Sequence, residues 1–336
     1  MTQKVFFGTY TKRESKGIYQ ADFDSSTGIL SNLQLASSML NPTYLSFSES
    51  GFLYSVAARE NKGGVASYSP DLTLLNSSLE EGAPPCYVSV DDQRRLVFAT
   101  NYHKGEVTVY NIQNDGSLSL VDKVVQKGSG PHENQASSHV HFADLTPDRF
   151  LVTCDLGADK VTTYEISTEG KLSVIDVYET IPGAGPRHIV FHNHLKTAYL
   201  INELNSTVEV LFYDGAGQFE HFQTISTVPD DYTGQKWASA IRLSSDGRFL
   251  YTSERAHNSI AIFAVLADGS LELLDIVASK GLVPRDFAIS PDDNFLIVAH
   301  QESDQVTVFK RDQNSGLLNL LSHDFYVPEG VSVLFK

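Results

Sequence analysis

Pro85-Cys86-Tyr87-Val88-Ser89-Val90, Pro186-Arg187-His188-Ile189-Val190-Phe191 and Pro284-Arg285-Asp286-Phe287-Ala288-Ile289 are three versions of one segment. Each leads into a second apolar run (Leu96–Thr100, Ala198–Asn202, Phe295–Ala299) and then a third (Glu106–Tyr110, Thr207–Leu211, Gln305–Phe309). A turn and a last short run close each unit, as Asp115-Gly116 does before Ser117-Leu118-Ser119-Leu120. Equivalent first-run positions are Phe47, Val90, Leu145, Phe191, Leu243 and Ile289, at intervals of 43, 55, 46, 52 and 46 residues. Four short apolar runs recurring at about 40–50 residues are the signature of propeller blades.

The runs are rich in Val, Ile, Leu, Phe and Tyr and are bounded by Gly, Asn, Asp and Pro, which reads as strand. Asp-Gly pairs at 115–116, 214–215, 246–247 and 268–269 supply hairpin turns that need positive φ. Six complete units run from about residue 42 to 325. Pro328-Glu329-Gly330-Val331-Ser332-Val333 matches a first strand, while the chain begins on what reads as a second strand, Val5–Tyr10. One C-terminal strand and three N-terminal strands therefore make a seventh blade, closing the ring and removing free sheet edges. The expectation is an all-β, seven-bladed β-propeller forming a single domain over residues 1–336.

Composition narrows function. The formal net charge is −16, from 25 Lys and Arg against 41 Asp and Glu. Such a chain repels phosphate backbones and anionic lipid, so neither nucleic acid nor a membrane surface is expected as a partner. Two cysteines, Cys86 and Cys154, give no disulfide framework. The apolar run at the start is too short for a signal peptide, and no run approaches the ~20 apolar residues of a membrane span. The expected location is the cytoplasm; oligomeric state stays open.

Blade topology places residues without coordinates. The start of each first strand and the end of each second strand lie at one mouth of the channel. Four residues before each anchor stand Thr43, Cys86, His141, Arg187, Ser239 and Arg285. Second strands end at Arg59-Glu60, Asn101-Tyr102, Asp155, Asn202-Glu203, Glu254-Arg255 and His300-Gln301, with Thr9-Tyr10 from the shared blade. Arginine gathered on one rim of an acidic chain points to a carboxylate or phosphate ligand, since the guanidinium is always charged and forks onto both. The bland alternative is a solvated rim of mutual ion pairs.

At Gly185-Pro186-Arg187-His188, Asn202-Glu203-Leu204, Ser253-Glu254-Arg255 and Gly8-Thr9-Tyr10-Thr11, the sequence resembles the seven-bladed propeller lactonase family. That family includes propeller-type 6-phosphogluconolactonases and the fungal carboxy-cis,cis-muconate cyclase. The resemblance spans nearly the whole chain and takes in Gly128-Ser129-Gly130-Pro131, His139-Val140-His141 and Asp155–Asp159. It implies a lactone-handling site at the mouth, with His141, Arg187, Arg255 and Glu203 at the positions proposed for chemistry in the cyclase. One departure is His132-Glu133-Asn134-Gln135, where an arginine is expected before the glutamine.

Lactone hydrolysis needs a base for the attacking water, cations for the oxyanion and a proton for the ring oxygen. Glu203 or His141 is the candidate base, and Arg187 and Arg255 suit the oxyanion. Arg285, with His132 or His188, would hold a phosphate, and Tyr10, Asn101 and His300 complete the expected substrate-binding set. Glu203 could instead merely hold the arginines, which would make it a poor base. The expected function is hydrolysis of a small anionic sugar lactone, 6-phosphogluconolactone in the pentose phosphate route. The alternatives are a carboxymuconate-type lactone or a non-enzymatic binding propeller.

No cofactor or metal is expected. His139 and His141 share a strand face, but zinc wants a third protein ligand that no spacing supplies. The Gly183-Ala184-Gly185 and Gly128-Ser129-Gly130 fragments precede strands rather than helices, so they are not nucleotide loops. Trp237 is placed to stack on a sugar ring or to pack the rim. His192-Asn193-His194 is expected to face solvent at a turn.

Overall fold

The computed structural model describes residues 2–336 and is built of strands, with no helix among those residues. Seven four-stranded antiparallel sheets follow one another around a channel. Their innermost strands are Leu45–Phe47, Tyr87–Asp91, Val140–Leu145, Pro186–Phe191, Ala238–Leu243, Pro284–Ile289 and Gly330–Phe335. The last of these pairs with Thr2–Thr9, which pairs in turn with Gly17–Asp24 and Ile29–Ser38. The shared blade thus closes the ring as expected, with Phe7 opposite Val333 and Phe6 opposite Leu334.

The period-2 pattern explains the packing. Second and third strands are buried on both faces because blades stack on each other, whereas fourth strands are mostly exposed. Between the fourth and fifth blades, Tyr199, Ile201, Val208 and Val210 pack on Ile241, Leu250, Ala261 and Phe263. The closure has its own core, in which Val5, Phe7 and Phe23 meet Phe295, Ile297 and Val333. Buried apolar surface of this kind stabilises by roughly 25 cal/mol per Å2. The ring is therefore held shut by the ladder between Thr2–Thr9 and Gly330–Phe335 together with this apolar packing.

One irregularity recurs and matters for function. Five inner strands carry a bulge at their mouth end; in the shared blade Ser332 faces Gly8 and Gly330 faces Thr9, which leaves Val331 unpaired. Val140 faces Asp155 and Phe142 faces Cys154, which leaves His141 unpaired. Pro186 faces Asn202 and His188 faces Ile201, which leaves Arg187 unpaired. Arg285 is skipped in the same way, as are Ser239 and Ala240. A bulge inserts a residue that has no ladder partner and re-aims its side chain. The strand pattern alone would not predict it.

Candidate active site

The bulges deliver His141, Arg187 and Arg285 to one end of the channel. A repeated backbone hydrogen bond fixes the opposing edge. In five blades the residue after the second strand donates its N–H to the carbonyl two residues before the bulge: Leu156 to His139 at 3.1 Å, Glu203 to Gly185 at 2.7 Å, Arg255 to Trp237 at 3.1 Å, Gln301 to Val283 at 3.0 Å and Tyr10 to Glu329 at 3.0 Å. Glu203, Arg255 and Tyr10 thereby border the cavity. It measures about 470 Å3 and is also edged by Lys12, Tyr102, Trp237 and Asn134. Below it the channel narrows around His141, Arg187, His188 and Arg285, then opens into a second cavity lined by Tyr44, Tyr87, Asp144 and Arg242.

Glu203 is the hub of the charged network. Its Oε2 accepts from Arg187 Nε at 3.0 Å and from Arg255 Nη2 at 2.5 Å. Its Oε1 accepts from Trp237 Nε1 at 3.1 Å. Burial alone would raise its pKa, but the fields of Arg255, Arg187 and Arg285 outweigh it and hold the carboxyl below its ordinary value. Glu203 is therefore ionised and a weak base. Arg255 lies 4.1 Å from the Trp237 ring centroid and donates to the Trp237 and Ala238 carbonyls. Burial pulls its guanidinium down to about 9, against the pull of Glu203, which leaves it charged at neutral pH. Arg187 donates Nη1 to Ser239 O at 2.7 Å and stands 3.3 Å from His188 Nε2.

His141 is 5% exposed, and its Nδ1 lies 3.2 Å from His188 Nε2. Burial, reinforced by Arg187, Arg285 and Arg255, drives its pKa well below 6.5, so the ring is neutral. Arg285 is the least committed cation. Among the described residues it makes one side-chain hydrogen bond, Nη1 to Gln301 Oε1 at 3.2 Å, and it lies 5.5 Å from the Tyr10 ring centroid. Lys12 also stands over the Tyr10 ring, 4.3 Å from its centroid.

Glu203, His141, Arg187, Arg255, Arg285 and Tyr10 thus gather at one mouth, as read from the sequence. Arg187, His188, Asn101, His300 and His132 do not line the cavity; Arg187 lies in the narrowing beneath it, bonded to Glu203. His188 is 2% exposed and sits beneath it. Asn101 and His300 are the last paired residues of second strands, and their side chains turn into the blade. Asn101 caps its turn, accepting from the His103 and Lys104 N–H groups and donating to Ala83 O. His300 is fully buried with Nδ1 3.0 Å from Gln305 O; the next residue, Gln301, is the one that meets Arg285. His132 lies in the loop before the third blade and accepts from Asn134 N–H through Nδ1, so Asn134 takes the place at the rim. His192 was expected in solvent but is 9% exposed, its Nδ1 accepting from the His194 and Leu195 N–H groups.

Several quoted motifs turn out to be scaffold. Asp159 accepts from Gly183 N–H, Gly185 N–H and Gln135 Nε2, and Gln135 also donates to Leu156 O. This knot ties the two glycine-rich segments together. Gly185 has φ +68°, a left-handed conformation, and a Cβ there would strike Leu204 at 2.5 Å. His139 stacks on Tyr102 with centroids 4.3 Å apart and bonds its carbonyl, and it does not join His141 in a ligand set. Among the described residues no group of three or more His, Cys, Asp or Glu is arranged to hold a metal. Trp237, read from the sequence as a sugar-stacking or rim residue, lines the cavity, and so do Tyr102, read as a mouth position without a binding role, and Lys12, which was not expected there.

Comparison with known proteins agrees with this architecture. The family model described as lactonase, 7-bladed beta-propeller, matches residues 4–335. The chain is 42% identical to the 6-phosphogluconolactonase of Bacillus subtilis over 346 residues, covering 100% of this chain and 99% of that protein. A crystal structure of a Lactobacillus plantarum protein superposes with a TM-score of 0.98 at 44% identity over the whole of both chains. A periplasmic gluconolactonase of Pseudomonas aeruginosa superposes with a TM-score of 0.93 at 33% identity, covering 100% of this chain and 99% of that one. This chain belongs to the lactonase family of seven-bladed β-propellers and is a lactonase.

Proposed function

We propose that the chain hydrolyses 6-phosphogluconolactone to 6-phosphogluconate at the arginine-rich mouth. The observation that carries this reading is charge: Arg255, Arg285 and Lys12 line a cavity whose wall offers one carboxylate, Glu203, and Arg187 stands behind that carboxylate, in a chain of net charge −16. Fixed cations concentrated against the overall field select an anionic substrate. The Bacillus protein, named for this activity, supports the choice of a phosphorylated sugar lactone.

His141 takes a proton from water as its oxygen attacks the lactone carbonyl carbon. Arg255, preorganised by Glu203 and backed by Arg187, faces the developing oxyanion, an arrangement worth about 3–4 kcal/mol per donor in other sites. When the tetrahedral intermediate collapses, the bond to the ring oxygen breaks and the His141 imidazolium returns the proton to that oxygen. One water is consumed, and the product is a hydroxy acid that ionises. Arg285 and Lys12, both beside Tyr10, hold the phosphate. Glu203 acts as the anchor of the two guanidinium groups.

The decisive experiment is turnover of freshly prepared 6-phosphogluconolactone against its spontaneous hydrolysis, with gluconolactone and a carboxymuconate-type lactone as parallel substrates. A rate above background, with kcat/KM highest for the phosphorylated lactone, is expected. Equal preference for the carboxylated lactone would transfer the assignment to that class, and background rates on all three would overturn it. The two cysteines are unpaired, which accords with a cytoplasmic setting.

A further inference from the structure

We infer that His188, which substrate does not reach, is a positioning residue: it accepts the Nδ1 proton of His141 and so leaves Nε2 of His141 bare toward the cavity. The inference rests on the reading of His141 as the base.

The argument is a count of protons. Arg187 Nη1 can only donate, and it spends its hydrogens on Ser239 O at 2.7 Å and His188 Nε2 at 3.3 Å. His188 Nε2 must therefore be an acceptor. Burial, with Arg187 next, keeps His188 well below its ordinary pKa, so the ring is neutral and its single proton sits on Nδ1. The same Nε2 lies 3.2 Å from His141 Nδ1. Two bare nitrogens at that distance would oppose their lone pairs. His141 must donate, making a three-centre hydrogen bond with Arg187 at one acceptor. A neutral His141 that carries its proton on Nδ1 has its lone pair on Nε2.

The rest of the surroundings fix this arrangement. The His188 ring is held by Tyr87, Phe142 and Tyr44, with centroids 5.2, 5.3 and 6.3 Å away. It is 2% exposed, so it cannot swing into the substrate cavity. Its Nδ1 is buried without a protein partner among the described residues, and the residue borders the lower channel cavity, where a water can serve the proton. Groups that set the tautomer of a functional histidine through its second nitrogen are a general device, usually a carboxylate or carbonyl. Here a neutral histidine does the task, and Arg187 sets its own tautomer in turn. Were a carboxylate in its place, it would stabilise the imidazolium and pull His141 toward the charged form.

The test is nitrogen-15 NMR of histidine-labelled enzyme without substrate, with His141 assigned by the loss of its signals in His141→Asn. The expected spectrum shows His141 protonated at Nδ1 and bare at Nε2. His188→Phe keeps ring bulk but removes the acceptor. It should mix the His141 tautomers and lower kcat by about 10–100-fold, with KM within about threefold. His188→Gln puts an amide oxygen where Nε2 stood, and it should restore the Nδ1–H form and bring kcat to within about fivefold of the parent. A wild-type His141 protonated at Nε2 overturns the inference, as does His188→Phe with parental tautomer and kcat. Should His188→Phe not fold, the wild-type spectrum and His188→Gln decide the matter. Because the spectrum needs no substrate, absence of lactone turnover alongside the Nδ1–H form would strike the proposed substrate and leave the tautomer assignment standing.

Discussion

Arg187 Nε meets Glu203 Oε2 at 3.0 Å, and Arg255 Nη2 reaches the same oxygen at 2.5 Å. One carboxylate thus neutralises part of two buried guanidinium groups that would otherwise repel each other. Arg187 and Arg255 are each 3% exposed and Glu203 8%, so little water is available to share that task. Removing one partner of a buried ion pair typically costs about 3–5 kcal/mol, because the remaining charge is left uncompensated. Glu203→Gln should therefore lower Tm and cut kcat by about 100-fold or more, in keeping with loss of preorganised oxyanion donors. Calorimetry and steady-state kinetics on the purified variant check both. A variant with parental Tm would deny the network its structural weight.

His141 gives a pH prediction with a definite sign. A base must be unprotonated, and burial together with Arg187, Arg285 and Arg255 puts the His141 pKa well below 6.5. The kcat/KM profile should stay flat as pH falls through 6.5 and drop only on the acidic side of it. His141→Asn should lose about 100–10,000-fold in kcat. An acid limb with its midpoint at pH 7 or above would exclude this histidine as the base.

The same burial makes the two adjoining histidines a source of acid lability. His141 and His188 are neutral when folded and titrate near 6.5 when unfolded, so below that pH the unfolded chain binds more protons. Stability is thus undiminished by them above pH 6.5 and falls as pH drops from 6.5 toward their lower folded values. Replacing His188 by Gln removes one of these groups. Its Tm should fall less steeply than the parent's between about pH 6.5 and 5. Parallel Tm curves would contradict the shift.

Arg285 separates binding from chemistry. Its guanidinium is committed to Gln301 alone among protein groups and lies beside Tyr10 and Lys12. Arg285→Ala should raise KM for the phosphorylated lactone by about 10–100-fold, the cost of a lost charge-assisted pair. The unphosphorylated lactone should change by less than about threefold. Equal losses on both substrates would move Arg285 from phosphate holding to the reacting centre.

Asp159 tests the scaffold. It receives Gly183 N–H at 2.7 Å, Gly185 N–H at 2.9 Å and Gln135 Nε2 at 2.6 Å. Asp159→Ala leaves these donors unmatched at about 1–3 kcal/mol for each one that stays buried. Thermal denaturation should show a drop in Tm larger than that of Asp159→Asn, which keeps one acceptor oxygen.

The amino-acid sequence by itself determined the wheel. Strand periodicity, Asp-Gly turns, a recurring unit of about 46 residues, three strands of a unit at the N-terminus and one at the C-terminus allow few other closed arrangements, because buried strand faces and unpaired edges must be covered. It also determined that His141, Arg187, Arg285, Glu203 and Arg255 share a mouth, since that follows from strand direction alone. Only the tertiary structure decided which neighbours face the cavity. Asn101 and His300 pair in the ladder and turn inward, while Tyr102 and Gln301, one residue on, do not. Bulges at His141, Arg187 and Arg285 break the alternation that a sequence pattern assumes, so His188 falls beneath the floor while Arg187 reaches the site network. The charge state of Glu203 is likewise set by guanidinium groups 16 and 52 residues away along the chain, at distances that only the closed ring fixes.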